Sequence, residues 1–407
     1  MQRQIVHSVR STFSTVFALA LLVSPAFCST WIVDQANGPG TNYIDIPPAV
    51  AIAVPGDVII VRAGTYSSFT LSKGVTVLGQ GSVMTNGDII LSLVPVGQIA
   101  ALVNVEPVTS YLNEVQVKNC QGTVLVQRVD TTILVYDSTD VRILDVTSGP
   151  IVVRRDAGVS VYNARAQIVQ AIIQGGQGAP GFIFGPTAED GAAGLAQTGF
   201  GRVHFSLSQA RGGPGGLSDG YVHGGNGGPG LSVFASSNVH PLMVLTGGPV
   251  GLARGGMGWS GYEADSFWVG AHARTSQMTY QPTPPVIFSS GLLTTQPTIE
   301  PTLEMIGTPS PGATIRLRLR AQPGTSATLN CGTTPQVLPS AGVLVENLAV
   351  LQTYIPLGTV PLQGSVDVNW SFRLGVPLGQ LQIFQARIVD PGVGTVHRSN
   401  SIEAIVR

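Results

Sequence analysis

Charge is scarce in this sequence. Asp, Glu, Lys and Arg make up 11% of its 407 residues, against about 25% in ordinary soluble domains, so Ser, Thr, Gln, Asn and backbone must cover much of the surface. Neither sign dominates. A formal net charge of -1 leaves no basic footprint and argues against nucleic acid or anionic lipid as a partner. Cysteine is nearly missing too: Cys28, Cys120 and Cys331 cannot make a disulfide framework. Cys120 and Cys331 fall in different predicted domains and read as buried free thiols. Beyond the N-terminus no stretch approaches the roughly 18 apolar residues of a membrane span.

What is present begins with an address. Residues 1–28 carry Arg3 and Arg10, an apolar core from Phe13 to Val23, and a cleavage zone from Ser24 to Ser29. This pattern predicts a secretory signal. The expected mature protein is secreted or at the cell surface, without a transmembrane segment.

From Val115 to Ile173 short β-branched units begin at Val115, Val124, Ile133, Val141, Ile151, Val159 and Ile168, roughly one every nine residues. Units this short bury an apolar face only by stacking on neighbouring copies. Spacings of 18, 18 and 17 residues between Val115, Ile133, Ile151 and Ile168 predict one coil each, with at least two strands per coil. Units end in Asn119, Asp137, Asp145 and Asn163, residues that tolerate left-handed corners and bond locally to backbone, so stacked copies form a turn ladder. The same register sets Arg128 beside Asp145 and Asp137 beside Arg155.

The opening of the predicted mature chain has Trp31, a short helical segment around Pro47 to Val54, then GDVIIVRAGTY and KGVTVLGQG. These residues resemble the start of right-handed parallel β-helix proteins of the pectate-lyase-like superfamily. The resemblance implies an all-β fold in which the helical segment caps the first coil.

Residues 174–261 hold 26 Gly in 88 positions. That density predicts lateral loops, either mobile or held by close backbone packing, because each ordered Gly costs about 0.5–1 kcal/mol relative to Ala. Gly175-Gly176, Gly212-Gly213 and Gly247-Gly248 recur at intervals of 37 and 35, and GAAGL and GGPGL, ending at Leu195 and Leu231, recur at 36. Strand candidates without a third-residue glycine period argue against collagen. The expected organisation is signal 1–28, parallel β-helix 29–285, Pro-rich linker 286–302, and a small antiparallel β-sandwich over 303–407. TIRLRLR and its successors alternate between turn signals as sandwich strands do.

Chemistry is thinly signalled. GQGAPG and GMGWSG match a dinucleotide fingerprint in letters, but neither opens a predicted helix. No GK[ST] follows a glycine run. His204, His223, His240 and His272 lack metal-site spacing. Catalytic candidates are Asp130, Asp137, Asp140, Asp145 and Arg142: paired carboxylates could run hydrolysis, or hold calcium in a lyase, if they converge in one groove. The ladder accounts for most of them without chemistry. Tyr221, Trp259, Tyr262 and Trp268, with Phe267, are candidates for a sugar-stacking platform. Arg316, Arg318 and Arg320 form a basic stripe. The reading is a noncatalytic protein presenting a rigid face to carbohydrate or cell envelope, with no cofactor. The alternative is a polysaccharide lyase or hydrolase, calcium entering only there.

Overall fold

The computed structural model describes residues 28–108, 113–148, 157–180, 188–217, 225–234, 301–333, 335–340, 343–348 and 351–407, together with short strands between 243 and 295. For those short strands, and between 335 and 352, backbone pairing alone is described. The chain is a parallel β-helix carrying antiparallel sheets at its C-terminal end. Among the described residues one α-helix occurs, and none is long and apolar enough to cross a membrane.

The helix Ile46–Ile52 begins at Asp45, whose carboxylate accepts from Ile46 N, with proline in the first turn where no N–H is needed. Its Ile46, Ala49 and Val50 side chains enter the same core as Val33, Ile59 and Val77 of the first coils. The apolar end of the stack is thereby shielded from water. Asp57 ties this cap together. Burial works against its charge, but hydrogen bonds from Trp31 Nε1 (2.9 Å), Val54 N (2.9 Å) and Ser29 N (2.8 Å) outweigh it and hold the carboxyl below the ordinary range.

Three faces alternate along the coil. Face A stacks Ile99–Val103, Thr123–Gln127, Asp140–Leu144, Arg165–Val169 and Arg202–Ser206 in parallel register. Face B is short: Thr147–Ser148, Ile172–Gln174 and Gln209–Arg211. Face C stacks Val115–Lys118, Ile133–Tyr136, Val159–Tyr162, Leu195–Thr198 and Leu231–Phe234. Alternate residues point inward, so Val115, Ile133, Val159, Leu195 and Leu231 form one fully buried column of face C.

The corners carry the ladders. After face A the turning residue is left-handed on five successive coils: Asn104 (φ 54°), Arg128 (55°), Asp145 (53°), Gln170 (54°) and Leu207 (50°). After face C the same holds for Leu93, Asn119, Asp137, Asn163 and Gly199. Parallel backbone bonding runs straight through these corners, as in Asp137 N to Tyr162 O (3.0 Å) and Asp145 N to Val169 O (3.1 Å). Leu, Arg and Gln take a conformation that costs an L-residue about 1–2 kcal/mol through its Cβ. The continuous ladder over-determines it.

Two expectations of register are corrected. The partner of Ile133 is Val159, 26 residues on, where Ile151 was expected, and that of Ile143 is Ile168. The coil from Val115 to Ile133 lacks a strand between faces A and C, whereas Glu106–Pro107 precedes it there and each coil from Thr147 onward has a face B strand, which lengthens the repeat beyond 18 residues. The corner above Asp137 is therefore Asn163; Arg155 and Ile151 lie outside the described residues. The parallel coil also continues through Ile287–Ser289 and Leu292–Thr295, inside the stretch read as a linker.

The glycine-rich segments are ordered by backbone packing, and a third-residue glycine period does exist in them. Gly175 N and Gly178 N donate to Arg211 O and Pro214 O, both 2.9 Å; Gly191 N and Gly194 N donate to Asn226 O (2.8 Å) and Pro229 O (3.0 Å). Gly213 N and Gly216 N reach Ala192 O and Glu189 O, both 2.8 Å, while Gly225 N and Gly228 N reach Gly216 O (3.0 Å) and Gly213 O (2.8 Å). Donors and acceptors both step by three, the repeat of a polyproline-II helix. Residues 188–194 bond to three neighbours: 175–180, 212–217 and 225–230. A sheet strand has at most two such partners, so these segments form a bundle. A Cβ on Gly216 would lie 1.9 Å from Ala179 O, and one on Gly225 1.8 Å from Glu189 O. The whole-chain glycine pattern hides this period because strands interrupt it. Face B pairing also aligns Arg211 with Arg254; Gly247-Gly248 lies outside the described residues.

In the C-terminal unit Thr302–Ile306, Thr314–Arg320 and Ser365–Ser371 form one antiparallel sheet, and Leu351–Thr359, Ser326–Gly332, Leu381–Val389 and Val396–Ile405 another. Leu317, Leu329, Phe384 and Ile402 are buried between them. This unit also lies on face A: Leu144, Val169 and Leu207 join its core, and Ile405 packs with Leu78, Val103 and Leu125.

Gly216→Ala forces its neighbour's backbone to move and lowers stability by about 1–3 kcal/mol, measured by thermal unfolding and by hydrogen exchange at Gly213 and Gly228. Gly375→Ala, with nothing within 4 Å of the added methyl, leaves both unchanged. Asp34 is likewise held below the ordinary range, chiefly by Arg62. Asp34 and Asp57 contribute stability that is complete above the unfolded value of about 3.9 and is lost as pH falls through their lower folded values. Unfolding followed from about pH 5 to about pH 2 shows that loss, and Asp57→Asn shows a smaller pH dependence.

Candidate ligand-binding face

The acids and bases of the sequence-based set occupy three separate places. Arg128 Nε and Asp145 Oδ2 lie 2.8 Å apart at the corner after face A, the expected ladder pair. Arg407 packs beside them, its guanidinium pushed down to about 10 by burial and then by the positive charge of Arg128. Asp137 is at the opposite corner, after face C. Asp130 is on the turn following face A, where its backbone N donates to Glu106 Oε2 (3.2 Å). Burial raises the Glu106 carboxyl above its ordinary range, against the lowering effect of the hydrogen bond from Asp130 N, with the Asp130 charge a smaller upward push.

Asp140 and Arg142 point outward from face A and are covered by the C-terminal unit. Arg142 is 1% exposed. Its Nε and Nη2 meet the two oxygens of Asp140 at 3.1 Å each, and its Nη1 lies 2.6 Å from Glu403 Oε1. Thr123 Oγ1 donates to Asp140 Oδ2 (2.6 Å), and Gln167 Nε2 donates to Ser401 O (2.9 Å) beside it. Such a buried network fixes how the two units meet and is largely shielded from water. The geometric condition for hydrolysis or elimination, several of these acids and bases in one accessible groove, is not met by this set. Glu403 was missed by sequence reasoning because 261 residues separate it from Arg142. Among the described residues no group of three or more His, Cys, Asp or Glu side chains could hold a metal ion.

The basic stripe is compensated. Arg318 forms a two-pronged bridge to Asp367 (2.8 and 2.9 Å), Arg316 lies 3.8 Å from the same carboxylate, and Arg320 lies 3.8 Å from Glu304. The first dinucleotide-like match sits in the glycine bundle, where Gly176 O accepts from Ala192 N, and opens no helix. Gly256 to Gly261, Tyr221, Trp259 and Tyr262 lie outside the described residues. Trp268 pairs in backbone register with Ser232 and Phe288, and Phe267 with Leu231 and Ile287.

A different aromatic row stands out. Register places Tyr136, Tyr162, Thr198 and Phe234 at the last outward position of face C on four successive coils. The Tyr136 and Tyr162 rings are 6.3 Å apart and tilted by 54°. Tyr162 is 43% exposed, Phe234 41% and Phe200 62%. Phe200 is positioned by Asn163, whose Oδ1 accepts from Phe200 N (2.8 Å). The row therefore follows a rigid corner, about 4.8 Å per coil. Its sequence signal was available: Val135-Tyr136-Asp137 and Val161-Tyr162-Asn163 set a tyrosine directly before two corner residues.

Comparison with protein-family models, with curated proteins and with solved structures finds no match to this chain.

Replacing Arg142 by Met leaves Asp140 and Glu403 buried without their shared cation and costs about 3–5 kcal/mol, read from denaturant unfolding. Adding Glu403→Gln to that variant recovers part of the loss.

Proposed function

We propose that the chain is an exported, noncatalytic β-helix protein, akin to the pectate-lyase-like superfamily, that contacts polysaccharide of the extracellular medium or cell envelope along the aromatic corner of face C. The observation that carries this reading is the row Tyr136, Tyr162, Thr198 and Phe234, with Phe200 beside it. Aromatic faces with polar edges stack on pyranose rings. A corner repeating once per coil offers them at a fixed rise, so little order is lost on binding an extended polymer. Scarce surface charge suits a neutral, hydroxyl-rich partner. The N-terminal signal pattern supports the extracytoplasmic address, and no cofactor enters the reading.

The test is affinity electrophoresis of the purified protein through a panel of neutral and acidic polysaccharides, with and without calcium. Retardation by at least one polymer is expected, and Tyr162→Ala with Phe234→Ala weakens it about tenfold, the sum of two stacking contributions of about 0.5–1.5 kcal/mol. Retardation unchanged by both substitutions removes the role of the row. Release of reducing ends or unsaturated products overturns the noncatalytic assignment in favour of a lyase or hydrolase.

A further inference from the structure

The C-terminal unit holds a cavity of about 580 Å³ between its two sheets, within the roughly 300–1,000 Å³ of small-ligand sites. One wall is Trp370, whose ring is fixed edge-on against buried Phe384 (centroids 5.1 Å, 75° between planes). The floor is apolar, with Phe372 and Val406 buried beneath the opening. Polar groups ring it. Gln382 is buried and spends its Nε2 on Gly332 O (3.1 Å), which leaves Oε1 to accept from a ligand hydroxyl. Gln380 and Thr353 are exposed at the rim. Arg373 is the charged residue of the lining, carried on a turn closed by Val376 N to Arg373 O (3.1 Å). No acid pairs with it among the described residues, in contrast to the compensated arginines of the neighbouring strand.

We infer that this cavity is a binding site for the end of a carboxylated saccharide. An aromatic wall takes a pyranose face, neutral amides and hydroxyls match sugar O–H groups, and an unpaired guanidinium matches one carboxylate with paired N–H donors. Trp370 and Arg373 are the specificity-determining residues: the first selects a ring, the second an acid. The site shares the saccharide class with the proposed function but none of its residues, so either can fail without the other.

Titration calorimetry of the purified protein with galacturonic acid, galactose and acetate tests this. Galacturonic acid binds at least tenfold more tightly than galactose, and acetate gives no measurable heat. Arg373→Gln, an exposed change that leaves the fold intact, makes the two sugars equal. Trp370→Phe retains an aromatic ring against Phe384, yet weakens both sugars threefold or more. Tyr162→Ala changes neither. Equal binding of the two sugars by the unaltered protein, acetate binding as well as galacturonic acid, no binding of either sugar, indifference to Arg373→Gln or Trp370→Phe, or sensitivity to Tyr162→Ala each overturns the assignment.

Discussion

Parallel backbone hydrogen bonding that continues unbroken around two corners of each coil is the constraint on which the rest depends. A strand of four or five residues has too little apolar surface to be stable alone. Stacked copies gain it by keeping inward residues in columns, and the columns stay aligned only if each coil turns at the same place. The left-handed corners enforce that. Asn and Asp accept the conformation readily, and where Arg128, Gln170 and Leu207 stand instead, the bonding above and below holds them in it. Because the corner is fixed, whatever sits just before it is fixed too, which is how Tyr136, Tyr162 and Phe234 come into line.

The C-terminal unit depends on the same regularity. Face A is flat enough to be covered by a sheet, and its outward residues divide into apolar contacts at Leu125, Leu144 and Val169 and the Arg142–Glu403 network. Replacing such a network by hydrophobic residues is often neutral or stabilising, so its value here is positional: charges that must meet admit one way of docking. Face A is taken by this unit, whereas Tyr162 and Phe234 on face C stay exposed.

Much of the coil was legible because local rules and tertiary structure agree. Val115 to Val135 alternate as face C requires, Asn119, Asp137, Asp145 and Asn163 mark corners, and Arg128 meets Asp145 as the spacing indicates. Reading the repeat as constant failed where face B appears, since two or three residues such as Thr147 and Ser148 give no periodic signal of their own. The covered state of face A was also written in the sequence: TVLVQ and DVRIL are buried at every residue, unlike alternating VQVK, and strands covered on both sides do not alternate. What covers them was not legible, because Ser401 and Glu403 are distant in sequence and ordinary in type. The Trp370 cavity was hidden for the same reason. Its walls come from separate strands and a turn, and no spacing in the chain brings Thr353, Arg373 and Gln382 together.

The glycine bundle has a consequence for how its segments can vary in length. Towards each neighbour a segment makes contact once in three residues, and where glycine stands at such a position an added side chain collides with a neighbouring carbonyl, as at Gly178, Gly213 and Gly228. Adding or removing one or two residues rotates a bulky residue into the contact line. Adding or removing three restores it. These lateral arms can therefore lengthen or shorten in triplets while the coil beneath them stays unchanged, which gives the protein a way to alter its reach without redesigning its core.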